Sequence, residues 1–164
     1  TFSTLPPQIW VMRTVLSSAI EFVFSLPVIG LAIALTQDLP GIYILFFPVA
    51  FILQFLLLYG IGLLVSSLSV IIPDLARVVK IVLRAMFYLS PILYSISNIP
   101  AQMQTVAAVN PLVGILGLYR IGWWPEEQTS TTALAISLGV AAILFIAGIF
   151  TFHRLKPRLL KEAK

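Results

Sequence analysis

The chain has 164 residues, 60% of them apolar and only 10% charged, with a mean hydropathy of +1.06. A soluble domain carries about 25% charge, so this composition excludes a water-facing enzyme fold, and its wealth of hydrophobes excludes a disordered chain. Ten basic residues against six acidic ones give a net charge of +4; the cations stand at the ends of apolar runs, where they report membrane topology and not a nucleic-acid face.

A helix needs about 20 mainly apolar residues to cross a bilayer, so the uncharged intervals set the map of an all-helical membrane protein. Between Arg13 and Asp38 the only charge is Glu21, and residues 15–35 fit a first span. Residues 42–68 fit a second, long enough to tilt, after a short turn marked by Pro40 and Gly41. Pro73-Asp74 breaks the pattern, and an amphipathic stretch follows. Arg77, Lys80 and Arg84 share one side of it, with Leu75, Val78, Val79, Val82 and Leu83 mostly on the other. This stretch reads as the entry of a third span over 78–96, loosened near Pro91.

Residues 97–128 hold no clean 20-residue run. Their shorter apolar stretches fit a re-entrant or interfacial segment, read as two short helices near 101–109 and 112–119. Asn110-Pro111 forms the hinge between them, with Asn as the cap and Pro at the first helical position. Trp123 and Trp124 sit where indoles prefer the water boundary. The fourth span covers 131–152. Its small residues Ala135, Gly139 and Ala147 form a stripe expected to admit a close neighbour. The tail 153–164 is a basic anchor. With both termini in the cytoplasm, nine of the ten cations fall inside and only Arg120 outside. The whole is read as one membrane domain of four spans plus the re-entrant segment. The start at Thr1, beside an apolar run, reads as that of a fragment.

Catalytic chemistry finds little support. The chain has no cysteine and a single histidine, His153, at the end of the last span, which reads as an interfacial residue. No cluster has metal-ligand spacing, so no metal is expected. Gly60-x-Gly62 lacks the third glycine and the strand of a dinucleotide fingerprint, which leaves close helix packing as its role. Glu21, the one intramembrane acid, is either a functional site or an anchor near the cytoplasmic interface. The charged patch of Asp74, Arg77, Lys80 and Arg84 suits a solvated face, a lipid head-group contact or a docking surface. Phe87, Tyr88, Tyr94, Tyr119, Trp123 and Trp124 suit an interfacial belt or, more sharply, a path whose aromatic faces stack on sugar rings.

The run from Ile72 through Pro73, Asp74 and Arg77 to Lys80, then Ser90-Pro91-Ile92-Leu93-Tyr94, then Asn110-Pro111-Leu112 and Tyr119-Arg120, resembles the permease subunits of type-2 ATP-binding-cassette exporters. It looks closest to the branch exporting lipid-linked polysaccharides such as O-antigen and teichoic acid. The resemblance implies six spans in the whole permease, with the four here similar to the last four, and an outer gate over 97–128. It also implies a second permease copy, a separate cytoplasmic ATPase that holds the ATP and magnesium, a lipid-linked glycan as cargo, and a bacterial inner-membrane location. No cofactor is expected in this chain. A drug or lipid efflux permease of the same superfamily is the alternative within transport. A non-transporting membrane anchor or inert fragment is the alternative outside it, and a membrane lipid-phosphate transferase would need clustered acids or histidines that the chain lacks.

Overall fold

The computed structural model describes residues 7–36, 41–69, 71–90, 100, 102, 107, 109–125 and 130–162. Among the described residues the fold is helical, with no β-strand. Helix α1 runs Pro7–Thr36, a 3-10 turn Ile42–Phe46 leads into α2 at Phe47–Leu68, α3 covers Leu75–Leu89, α4 Pro111–Arg120 and α5 Thr131–Glu162.

Three stretches are long and apolar enough to cross a membrane: Val11–Thr36, Ile42–Leu68 and Thr131–Leu155. They match the expected first, second and fourth spans to within a few residues. Helix α3 covers part of the stretch expected as the third span, but it is not among the helices long and apolar enough to cross. Its 15 residues rise about 22 Å at 1.5 Å each, short of the ~30 Å hydrocarbon core; residues 91–96, which would extend it, lie outside the described residues. Of the first short helix expected near 101–109, only Gln102, Ala107 and Val109 are described, all helical. The second is α4.

Hydrophobic contrast with water cannot drive these helices together in lipid, so shape must. The tightest approach joins α2 to α5. At Gly60 an added Cβ would lie 2.6 Å from the backbone nitrogen of Phe145, and at Gly148 it would lie 2.6 Å from the carbonyl oxygen of Gly60. Each glycine lets the other helix's backbone in. Gly62, two residues on, faces Val11 of α1. The Gly60-x-Gly62 pair therefore packs both neighbouring helices of α2, as its sequence context suggests.

The small-residue stripe of α5 lies elsewhere than expected. Ala135 is exposed and Gly139 has nothing within 4 Å of its would-be Cβ. The packed line is Ala133, Ser137, Ala141, Gly148 and Phe152, all buried. Two residues along a helix is a turn of about 200°, so the observed line is nearly opposite the expected one. It is selected by what it meets: Gly60 on α2, and Gly114 on α4, whose would-be Cβ falls 2.5 Å from the Ala133 carbonyl oxygen.

The core gathers Ala50, Leu53 and Leu57 of α2, Ile115 and Leu118 of α4 and Ala141 of α5. The 10-residue α4 is thus not laid on the outside; it is seated between two spanning helices. Polar side chains in the helices settle locally. Ser67, Ser69 and Ser90 donate their hydroxyls to the carbonyls of Leu63, Val65 and Met86, four residues back, which satisfies them without water.

Candidate functional site

The site takes shape at Asn110. Asparagine favours the position before a helix because its side-chain oxygen can accept from an N–H that the helix leaves orphaned, and proline fits the first turn because its missing N–H is not needed there. Both occur here: Asn110 Oδ1 accepts from the Leu112 N–H at 3.0 Å, with Pro111 following. The Asn110 side chain then does more than cap. Its Nδ2 donates to the Met86 carbonyl at 3.0 Å and to Ser90 Oγ at 2.9 Å, both at the end of α3. Ser137 of α5 donates its hydroxyl to the Pro111 carbonyl at 2.6 Å. Ser90 and Ser137 are fully buried, so α3, α4 and α5 are tied at one polar junction within an apolar bundle. The other end of α4 is held to the α1–α2 connection, where the Gly41 N–H donates to the Gly122 carbonyl at 2.7 Å. A side chain at Gly122 would press on Ile44.

The aromatic residues divide into two groups. Tyr119 and Trp123 are partly buried in a cluster with Phe22, Phe47 and Phe51. Tyr119 meets the ring of Phe47 edge-on at 4.7 Å, and Trp123 meets it at 6.2 Å. Phe22 stacks on Phe51 at 5.6 Å, bringing α1 into the same cluster. Phe87 and Tyr88, by contrast, are 50% and 72% exposed near the end of α3, in edge contact with one another at 5.6 Å. Trp124 is 51% exposed beyond α4. Pro91 and Tyr94 lie outside the described residues.

Asp74, Arg77, Lys80 and Arg84 are all exposed along α3. Arg77 Nη1 pairs with Asp74 Oδ1 at 3.3 Å, both about four-fifths exposed, a geometry that contributes little to stability. The opposite edge of α3, at Leu75, Val79, Leu83 and Met86, is the partly buried one, so the cations face away from the bundle. Glu21 is exposed on α1.

Two partners escaped the sequence reading. Gln54, in the middle of α2, accepts the Tyr119 hydroxyl at 2.7 Å, and Ser137 holds Pro111. The signal for Gln54 is an amide alone in a stretch without charge from Leu39 to Pro73; a polar side chain at that depth needs an internal partner. Ser137 carries no such signal, since a serine in a membrane helix can satisfy itself. No group of three or more metal-ligating side chains occurs among the described residues.

A profile of the ABC-2 type transporter family matches residues 4–124. Two Klebsiella pneumoniae proteins named O-antigen export system permease protein RfbA are 24% and 26% identical to the chain over 157 residues, covering 95% of it and 60% of their own length. A Myxococcus xanthus protein of the same name is 24% identical over 153 residues, covering 90% of the chain and 58% of itself. The chain thus spans about three-fifths of the length of these curated relatives.

Proposed function

We propose that this chain, which belongs to the ABC-2 type transporter family, is membrane-spanning material of an ATP-driven exporter of lipid-linked polysaccharide. The observation that carries the reading is similarity to O-antigen export permeases along nearly the whole chain, in a protein whose helices are long and apolar enough for a membrane. The chain forms one membrane domain with four spans, the third over 78–96, and α4 dips back into the bilayer from the outer side. Both termini face the cytoplasm of a bacterial inner membrane, because that places nine of ten cations inside.

ATP and magnesium act on a separate cytoplasmic ATPase, and two permease copies enclose the path. Nucleotide shifts the pair between states only through its different affinity for each. The Asn110 junction suits such a shift, since it joins the end of α3 to the start of α4 and makes them move together. The exposed Phe87, Tyr88 and Trp124 offer ring faces to sugars, while Arg77, Lys80 and Arg84 offer charge to the pyrophosphate of the lipid carrier.

Deletion of the gene in its host tests the proposal. In the deletion strain surface polysaccharide should disappear while lipid-linked glycan accumulates in the inner membrane; from the parent strain the tagged permease should purify with an ATPase subunit. Unchanged surface glycan with new sensitivity to a drug or lipid would instead make it an efflux permease, and purification without an ATPase would make it an anchor.

A further inference from the structure

Helix α1 carries a polar face that no described element covers. Ser17, Glu21 and Ser25 recur at four-residue steps, hence on one side of the helix, and all three are exposed. Glu21 lies eight residues past Arg13, the preceding charge, and fifteen before Thr36, or about 12 and 22 Å along the axis. Counted from an interface at Arg13, that is inside the hydrocarbon on its cytoplasmic side, where a carboxylate turned toward lipid is costly. No hydrogen bond or ion pair joins it to another described residue. Beside this face runs a groove between α1 and α2, lined among others by Ser18, Phe22, Phe51, Gln54 and Phe55. Gln54 spends its oxygen on Tyr119, and its amide N–H donors bond to no described residue.

We infer that this face and groove seat a further membrane-spanning helix of the permease, one that brings an arginine or lysine against Glu21. Acyl chains can neither donate to a carboxylate nor neutralise it. A second copy packed two-fold through the same stripe would set like charges on facing surfaces. A cationic helix meets both needs, with its apolar side on Phe51 and Phe55 and its charged side on Glu21. Material for it exists in the relatives, since the matched region is 60% of their length; the remainder, roughly 100 residues, is enough for more than one span of about 20. The inference rests on α1 spanning the membrane and not on what is exported.

A photo-crosslinking amino acid at Ser17 or Ser25 of the intact permease in native membranes tests it, with Ile20 and Leu31 on the apolar flank as controls. Ser17 and Ser25 should give an intramolecular adduct, mapped by mass spectrometry to a segment outside these 164 residues with an arginine or lysine within one turn. The controls should label lipid. Glu21→Lys should remove most of the permease from the membrane, and changing the mapped cation to glutamate should restore it. An adduct at dimer mass would assign the face to a second copy. That result, equal lipid labelling at Ser17 and Ile20, an adduct to a helix with no cation, or full tolerance of Glu21→Lys would each overturn the inference.

Discussion

Replacing Gly60 by alanine asks how much of the bundle rests on one close approach. The new methyl would stand 2.6 Å from Phe145 N and 2.7 Å from the Leu144 carbonyl carbon and oxygen, against an ordinary contact distance of about 3.5–4.0 Å. All three are backbone atoms and cannot swing aside, so α2 and α5 must part by about 1 Å. A gap of that size forfeits roughly a quarter to a half of each affected dispersion contact, and it opens beside Leu57 and Leu63, both buried. Overpacking of this kind costs about 1–3 kcal/mol. The usual gain from Gly to Ala in a helix, about 0.5–1 kcal/mol, offsets little here, because the helix persists in lipid even when the bundle separates. Thermal unfolding of the purified chain in detergent should show a midpoint lowered by about 4–8 °C for a 2 kcal/mol loss in a chain of this size. Gly148→Ala strikes the same crossing, so the double variant should lose less than the two singles added. Gly30→Ala and Gly139→Ala, with nothing within 4 Å, should stay within about 0.5 kcal/mol of the parent. A Gly60→Ala chain as stable as the parent, or a Gly139→Ala chain equally damaged, would refute the crossing.

Asn110→Ala should cost about 2–4 kcal/mol, a cap of roughly 1 kcal/mol plus the lost bonds to Met86 and Ser90; Asn110→Ser, which keeps a capping acceptor but not the amide donors, should fall between the parent and Asn110→Ala, and a serine variant as stable as the parent would deny the Nδ2 bonds any weight. Tyr119→Phe should lose about 1 kcal/mol by the same melting assay, since the ring contacts survive and only the bond to Gln54 goes. Phe87→Ala and Tyr88→Ala, both at exposed positions, should change stability by no more than about 0.5 kcal/mol yet reduce surface glycan in the intact permease; export at parental level would remove them from the sugar path. Reporter fusions within residues 37–40 should be active outside the membrane and those at Asp74 and Lys164 inside, and a carboxy-terminal tag found outside would reverse the topology.

Charge and length made much of the architecture legible. The stretches bounded by Arg13, Asp38, Pro73 and Ser130 became the three long apolar helices, because a bilayer punishes charge so severely that one charge or none over 20 residues has one main explanation. Asn110-Pro111 was legible for a different reason. Capping is a local hydrogen bond between residues two apart, and it needs no knowledge of the rest of the fold. What that dipeptide could not reveal is that the same amide also reaches 24 and 20 residues back, to Met86 and Ser90. Those bonds depend on where α3 ends, and a tertiary position is not written in a local motif. The aromatics divide along the same line: their number was plain, but the burial of Tyr119 and Trp123 against Phe47 depends on α1, α2 and α4 meeting.

The rotation of α5 shows why facing was the hardest property to read. In water, the apolar side of a helix announces which side is buried. In lipid both sides are apolar, and that contrast vanishes, leaving residue size as the only clue. Along α5 size is ambiguous, for Ala135, Gly139 and Ala147 make as smooth a line as Ala133, Ser137, Ala141 and Gly148. The choice between them is made by the partners. Gly60 on α2 and Gly114 on α4 each expose backbone that can be approached only by a surface offering little beyond its own backbone, and Gly148 and Ala133 supply it. Ser137 adds the donor that the Pro111 carbonyl requires, which no residue of the rival line can provide. The unused line, with open space over Gly139, remains smooth enough for another helix to approach, so the two stripes differ in which neighbour they admit and not in their capacity to admit one.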